Sequence, residues 1–358
     1  MVNDTTPKNA QARAHLDGLL ARRPVMLAPM EDVTDVGFRA LCREMGADLT
    51  FTEFVNVEML LAGAPSIRRK IALGPGEGPR VGIQIYGANP ATLVEAAVVA
   101  EAAGPALIDI NCGCWVPKIA RRGAGSAWLR DVPAMAAMAA SIVRAVSLPV
   151  TVKTRLGWGD SPPQPDVMAR RLEDAGVAAM TLHCRTALQR HEGHADWSWA
   201  ARVREAVSIP VILNGGIQTA ADVLRAFAET DCAGVMIGRA ALNHPWIFRE
   251  VRQLMAGQPV RAPSPAERLA LCRRHLLHNV AARGERRGVM ALRRHLQGYL
   301  SGVPGGMELR RALLTDDTLA GNLALIDTHE AAVGRQVPGA GRSGYPPLSP
   351  MWMFGSCQ

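Results

Sequence analysis

Residues Ala106-Leu-Ile-Asp-Ile-Asn-Cys-Gly-Cys-Trp-Val-Pro-Lys118 run from a short apolar stretch into a polar loop. The stretch from Ala106 to Ile110 predicts a buried strand, and it puts Cys114 where a βα loop begins. Two glycines, Gly123 and Gly125, follow closely. A thiol in that position could serve as nucleophile, metal ligand, redox partner or proton donor. The residues gathered around it decide which.

Similar strands lie on both sides. Candidates are Val25–Ala28, Leu49–Glu53, Val81–Tyr86, Ala106–Asn111, Val150–Arg155, Ala179–His183, Val211–Asn214 and Gly234–Ile237. Amphipathic helical patterns such as Ala91–Ala103 and Ala220–Glu229 separate them. Eight strand-helix alternations predict an α/β fold, a (β/α)8 TIM barrel. A doubly wound sheet is the alternative. It needs a glycine-rich dinucleotide turn after the first strand, and Ala28-Pro-Met-Glu31 is not one.

The expected organisation is an N-terminal extension over 1–23, a barrel over 24–256, a basic helical domain over 257–336 and a flexible tail over 337–358. Gly257–Pro265 reads as a linker; Ala266–Ala282 and Gly288–Leu300 read as helices. Leu292, Leu296 and Leu300 form an apolar stripe expected to be core. Cys357, in the tail, is a bystander.

Composition narrows the partners. The chain has 358 residues, 48% hydrophobic, enough for one large core or two domains. Seven cysteines in no paired framework, and an N-terminus without an apolar leader, predict a cytoplasmic protein with reduced thiols. The Ala/Met-rich run Val132–Val150 is broken by Arg144 and Pro149, so it predicts a buried helix entering a strand rather than a membrane span. Between Arg261 and Arg311 stand eleven arginines against three acids, an excess equal to the whole net charge of +8. A neutral body with one basic lobe points to a polyanionic partner. Arg286 and Arg293, like Arg287 and Arg294, are seven apart and expected on one helical face.

Active sites of such barrels lie at the C-terminal ends of the strands. Those ends carry Pro29 and Met30, Glu53, Gln84, Asn111 and Cys114, Lys153 and Arg155, His183 and Arg185, Asn214 with Gly215 and Gly216, and Gly238 with Arg239. Small residues after the last two strands suit a phosphate, held by backbone N–H groups. Lys153 and Gln84 would then face the polar edge of a flavin. FMN is the natural choice, since no second nucleotide site is visible. Cys112, Cys114 and Cys184 lack a clean four-ligand metal spacing, and no metal is expected.

Ordered motifs extend this reading. They are Leu27-Ala-Pro-Met-Glu-Asp-Val-Thr-Asp35 with Phe38-Arg39, Gln84-Ile-Tyr-Gly87, Asp109-Ile-Asn-Cys-Gly-Cys114, Arg122-Gly-Ala-Gly-Ser126, Val152-Lys-Thr-Arg-Leu-Gly-Trp158, Leu182-His-Cys-Arg-Thr186, Ile212-Leu-Asn-Gly-Gly-Ile217, Met236-Ile-Gly-Arg239 and Leu292-Arg-Arg-His-Leu296. From about Pro24 to Leu325 the chain resembles the tRNA-dihydrouridine synthases, in the bacterial branch that includes the B-type enzymes.

That resemblance implies a two-step flavoenzyme. NADPH reduces FMN, hydride passes to C6 of a tRNA uridine in the D-loop, and Cys114 protonates C5. It assigns Pro29, Met30, Glu31, Gln84, Lys153, His183, Asn214, Gly215, Gly216, Gly238 and Arg239 to the flavin. Asn111 and Arg185 fall to the uridine, and Arg286, Arg287, Arg293 and Arg294 to the tRNA backbone. The uridine must be flipped out of its stack to reach a barrel mouth. No membrane and no stable protein partner is implied.

Two positions depart from the family pattern. Trp115 stands where proline usually follows the cysteine, with Pro117 two places later, and Gly216 stands where aspartate is usual. Two other readings compete. One is an FMN barrel acting on a free pyrimidine, which would not need the basic lobe, or on another RNA. The other is a non-catalytic tRNA-binding protein, which would purify colourless.

Overall fold

The structure is a computed structural model, and it describes residues 7–336. The tail expected over 337–358, with Cys357, lies outside the described residues, as do residues 1–6. The chain divides into two compact units. One comprises the residues up to Ala241 together with Ile247–Pro259; the other comprises Leu242–Trp246 and the residues from Val260 onward.

The first unit is a (β/α)8 TIM barrel. Its strands are β1 (Val25–Leu27), β2 (Thr50–Phe51), β3 (Val55–Asn56), β4 (Val81–Tyr86), β5 (Leu107–Cys112), β6 (Val150–Arg155), β7 (Ala179–His183), β8 (Val211–Asn214) and β9 (Gly234–Ile237). All pair in parallel in the order β1-β9-β8-β7-β6-β5-β4-β2, and β3 also pairs with β4. The seam between β1 and the β2 segment closes through Leu27 N–H on the Leu49 carbonyl and Asp48 N–H on the Val25 carbonyl, each at 3.0 Å. Helices occupy the connections, including Pro90–Glu101, Val132–Ala145 and Ala220–Thr230.

One expected strand differs. Within Leu49–Glu53 only β2 is strand, and a second short piece, β3, follows beyond Glu53. The Glu53 carboxylate accepts from the Asp32 amide at 2.7 Å and pairs with Lys70 at 3.2 Å. These bonds draw the chain off the ladder at the barrel rim.

The barrel interior is layered, as inward-facing alternate residues demand. The lower layer is apolar: Met26, Ala28, Leu49, Phe51, Leu107, Ala179, Ile212 and Met236 form one buried cluster. Leu16, Leu19 and Leu20 of the helix Pro7–Leu20 join it. The N-terminal segment therefore contributes to the barrel core. Above that layer the inward residues become polar: Gln84, Asp109 and Thr151, then Asn111, Lys153, His183 and Asn214.

The second unit is helical: Pro265–Arg283, Glu285–Leu292, Leu296–Tyr299, Gly306–Thr315 and Leu319–Gln336. Ser264 and Glu267 form a capping box at the first of these, which fixes its start one residue earlier than the sequence pattern suggested. The single helix expected over Gly288–Leu300 is broken at Arg293–His295. The break accompanies a buried aromatic stack. His295 packs against His275 with ring centroids 4.5 Å apart, and His275 Nδ1 lies 2.9 Å from the Tyr299 hydroxyl. Leu292, Leu296 and Leu300 are buried, as a core stripe should be. Among the described residues no helix is long and apolar enough to cross a membrane.

Leu16 is 4% exposed within the lower cluster. Leu16→Ala should lower the free energy of unfolding by about 2–4 kcal/mol in urea titrations, because it leaves a cavity in a well-packed layer. A loss below about 0.5 kcal/mol would mean the helix does not belong to the core.

Candidate active site

The upper barrel is built from polar side chains that satisfy one another. Asp109 and Gln84 are both fully buried. Asp109 accepts from the Thr151 hydroxyl and from Gln84 Nε2. Gln84 Oε1 accepts from Asn111 Nδ2 at 2.8 Å. Asn111 Oδ1 accepts from the amides of Gly113 and Cys114 at 3.1 and 2.9 Å. On the adjoining strand β6, Lys153 Nζ donates to Asn214 Oδ1 of β8 at 2.9 Å, and Asn214 Nδ2 donates to the Met236 carbonyl at 2.8 Å. Burial without such pairing would cost about 1–3 kcal/mol per group.

The Cys114 loop is held at both ends. Beyond the two Asn111 bonds, the Cys114 carbonyl accepts from the Ser126 amide at 3.0 Å. Gly125 has φ +61°, and a Cβ there would sit 2.7 Å from that carbonyl, so only glycine allows the approach. Pro117 opens the short helix Pro117–Ala120 at its first position, where a missing N–H costs nothing. Trp115 is half-buried. Its ring meets His191 edge-on at 5.8 Å, and the Arg190 guanidinium lies 5.1 Å from its centroid. Aromatic and cationic packing thus anchors the loop where a proline would have stiffened it.

Arg155 joins this loop to the one after β7. Its Nε donates to the Gly113 carbonyl at 2.7 Å, and its Nη1 donates to the Thr186 and Arg190 carbonyls at 3.0 and 2.7 Å. Arg185 donates to the Glu192 and Gly193 carbonyls, and its Nη1 lies 3.4 Å from His183 Nε2. A guanidinium can only donate, so His183 presents a lone pair there and carries its proton on Nδ1. Burial and the charges of Arg155, Lys153 and Arg185 hold His183 well below its ordinary pKa, hence neutral.

Gly215 and Gly216 have φ of +96° and +82°. A Cβ on Gly215 would strike the His183 ring at 2.4 Å. One on Gly216 would approach Ala195 Cβ and Trp197 Nε1 to 3.1 Å, while that Nε1 donates to the Gly215 carbonyl at 2.9 Å. Trp197 therefore fills the space an aspartate would need, which accounts for glycine at 216. Among the described residues the Gly215 and Gly216 amides donate to no protein acceptor. Gly238 is more open: a Cβ there would find only Ala28 and the Met30 sulfur, at 3.7 and 3.9 Å. Pro29 is buried beside this region, and Arg239 is exposed after Gly238. Glu31 stands at the rim, exposed and ion-paired with Lys70.

The electrostatics are strongly cationic. Burial, then the Arg155 charge, brings Lys153 down to about 8. Burial brings Arg155 down to about 10 and His191 down to about 4, with Arg239 and Arg185 adding to both. Burial pushes the Cys114 thiol up, against the pull of the Val116 amide, Arg155 and Lys153. The thiol is therefore protonated at neutral pH. Cys112 and Cys184, its neighbours in the sequence motifs, are fully buried and also pushed up by burial.

The structure thus gathers Cys114, Gln84, Asn111, Lys153, His183, Arg185, Asn214, Gly215 and Gly216 into one connected mouth. The four predicted tRNA-contacting arginines belong to the second unit. Arg286, Arg287 and Arg294 are exposed, while Arg293 caps the helix Glu285–Leu292, half-buried and bound to Asp317 at 2.5 Å. They do not share one continuous helical face. Residues whose importance sequence reading missed are Asp109, Thr151 and His191, and Arg155 was noticed only as a strand end. The available signal for Asp109 was parity: it shares the inward face of β5 with Asn111, two residues on.

Burial raises Asp109 to about 6 against its Thr151, Gln84 and Lys153 contacts, which lower it. A carboxyl raised from 3.8 makes the native state lose stability as pH rises from about 4 through about 6, by up to about 3 kcal/mol. Asp109→Asn removes that component. The variant should gain on wild type by that amount in urea titrations between pH 4 and pH 7.5. A difference independent of pH would refute the raised pKa.

Comparison with known proteins gives the family. Residues 26–333 match the dihydrouridine synthase family model. A probable tRNA-dihydrouridine synthase of Rickettsia bellii is 33% identical over 87% of this chain and 96% of its own length. One of Mycobacterium tuberculosis is 38% identical over 87% of this chain and 86% of its own. The tRNA-dihydrouridine synthase B of Pseudomonas aeruginosa is 37% identical over 80% and 86%. Among solved structures, a mandelate oxidase variant aligns over 65% of this chain and 70% of its own, at 20% identity and a TM-score of 0.42, too distant to bear on the chemistry. With a family match across most of its length and relatives above 30% identity that it spans almost end to end, this chain belongs to the dihydrouridine synthase family.

Proposed function

We propose that this protein is a flavin-dependent tRNA-dihydrouridine synthase. The observation that carries this reading is the state of Cys114: a thiol on a pinned loop, facing a cationic mouth, and kept protonated by burial. FMN held at this mouth and reduced by NADPH would supply hydride chemistry for C6 of a tRNA uridine.

The residues present fit such a cofactor. The amides of Gly215 and Gly216 are undonated and left open for an anion by their positive φ. Arg239 and Gly238 follow β9 beside Met30 and Pro29, and would hold the phosphate end. Lys153, with Asn214, Gln84 and His183, would hold the polar edge of the ring system. Lys153 is charged below about 8, which suits an electron-rich ring edge. Glu31 would act from the rim, where it already holds Lys70.

Cys114 supplies the proton. Hydride at C6 leaves enolate-like charge over C5 and O4 of the base, and an acid must then reach C5. A thiol pushed up by burial keeps its proton until that charge develops, and the resulting thiolate lies near Arg155 and Lys153. Asn111 and Arg185 would meet the uracil edge. The base has to leave its stack to enter the mouth. Arg286, Arg287, Arg293 and Arg294 would contact phosphates, which makes binding salt-dependent without reading sequence. The D-loop is the proposed source of the uridine, and the surroundings of the reaction would be cytoplasmic.

The basic second unit favours this reading over a free pyrimidine substrate, which needs no such lobe. Cys114→Ala should reduce uridine turnover by about 10²–10⁴-fold, the usual share of a positioned acid, and leave NADPH oxidation largely intact. Both rates can be followed on the purified enzyme with tRNA lacking dihydrouridine. Normal product formation by that variant would overturn the assignment.

A further inference from the structure

Directional hydrogen bonds connect Asp109, at the barrel's centre, with the Cys114 loop. The amides of Gly113 and Cys114 can only donate, so Asn111 must present its carbonyl oxygen to them, at 3.1 and 2.9 Å. Its NH2 then faces Gln84, which must present its own carbonyl oxygen, at 2.8 Å. The Gln84 NH2 is thereby turned toward Asp109, which must accept. The other Asp109 oxygen takes the Thr151 hydroxyl. Each orientation dictates the next, and nothing along the chain is left to choice.

Burial makes the chain stiff. Gln84 and Asp109 are fully buried, Thr151 is 4% exposed and Asn111 7%. Water cannot substitute for a missing partner there, and a lost acceptor would be felt by the whole series.

We propose that Asp109 is the positioning residue for Cys114: by accepting from Gln84 it locks the Gln84 and Asn111 amides in the one orientation that holds the Gly113 and Cys114 amides, and so holds the thiol in place. The role of Cys114 as acid rests on the function proposed above. The positioning itself does not.

What matters is an acceptor facing Gln84, not the charge. Asparagine at 109 can present its carbonyl oxygen to Gln84 and its NH2 to Thr151 Oγ1, so it should preserve the chain. Leucine cannot. The test is hydrogen exchange of the Gly113 and Cys114 amides on the purified protein without RNA, together with alkylation of Cys114 by iodoacetamide. Among the described cysteines only Cys114 is not fully buried, so the alkylated site can be assigned by mass spectrometry.

Asp109→Leu should speed exchange of those two amides at least tenfold and change the Cys114 alkylation rate several-fold, with amides of the outer helices unaffected. Asp109→Asn should stay within about threefold of wild type in both. In turnover, Asp109→Leu should lower kcat for uridine with KM for tRNA unchanged, and Asp109→Asn should restore it. Should Asp109→Leu fail to fold, Gln84→Leu breaks the chain one link later and should give the same local exchange. Wild-type exchange in the leucine variants, or an asparagine variant as disturbed as the leucine one, would overturn the proposal. If wild-type protein makes no dihydrouridine, the functional reading fails, yet the exchange result still decides the positioning role.

Discussion

Polar groups buried inside a closed barrel must satisfy one another, and this constraint organises the upper half of the molecule. The lower interior is filled by Met26, Phe51, Leu107, Ile212 and Met236, capped by the N-terminal helix. Above it, Asp109, Gln84 and Asn111 form a single bonded series that ends on the Cys114 loop, and Lys153 with Asn214 forms another toward β9. The apolar layer supplies stability. The polar layer spends some of it, since Asp109 is held far above an ordinary carboxyl's pKa by its burial. Strain of this kind is common where structure serves chemistry.

The mouth above these layers is dominated by positive charge. Burial, reinforced by the charges of Arg155, Lys153 and Arg185, leaves the His183 and His191 imidazoles neutral, and Arg239 adds to the effect on His191. Two outcomes follow from one arrangement. Anionic groups, such as a phosphate or a developing enolate, are favoured throughout the mouth. Yet Cys114 keeps its proton, because burial outweighs the cations near it. A thiol in a cationic pocket would ordinarily ionise and become a nucleophile. Here the balance falls the other way, which suits the proposed role of proton donor better than that of nucleophile.

Much of the fold was legible because short apolar strands carrying polar residues near their C-terminal ends announce themselves: Gln84 in β4, Lys153 in β6, His183 in β7 and Asn214 in β8, with Gly238 just past β9. The split between β2 and β3 was not, because it comes from Glu53 bonding to Asp32 and Lys70, contacts made across the rim. The break at Arg293–His295 was hidden likewise, since a leucine stripe with spacing four continues through it while His295 packs edge-on against His275. Asp109 was concealed between Ile108 and Ile110, inside what reads as an apolar run. Arg155 binds the carbonyls of Gly113, Thr186 and Arg190, and no local pattern records such distant partners. Trp115 and Gly216, the two departures from the family pattern, become intelligible only beside Arg190, His191 and Trp197.

The basic second unit and the cationic barrel mouth both suit a large polyanion bearing the reacting base, and one measurement tests that union directly. Dihydrouridine can be mapped across the RNA of cells lacking this gene and of the same cells carrying it again. Loss of the modification at one or more tRNA positions, restored by the intact gene and not by a Cys114→Ala copy, is the predicted result. An unchanged map in the cells lacking the gene would contradict the assignment of this site to uridine reduction in tRNA.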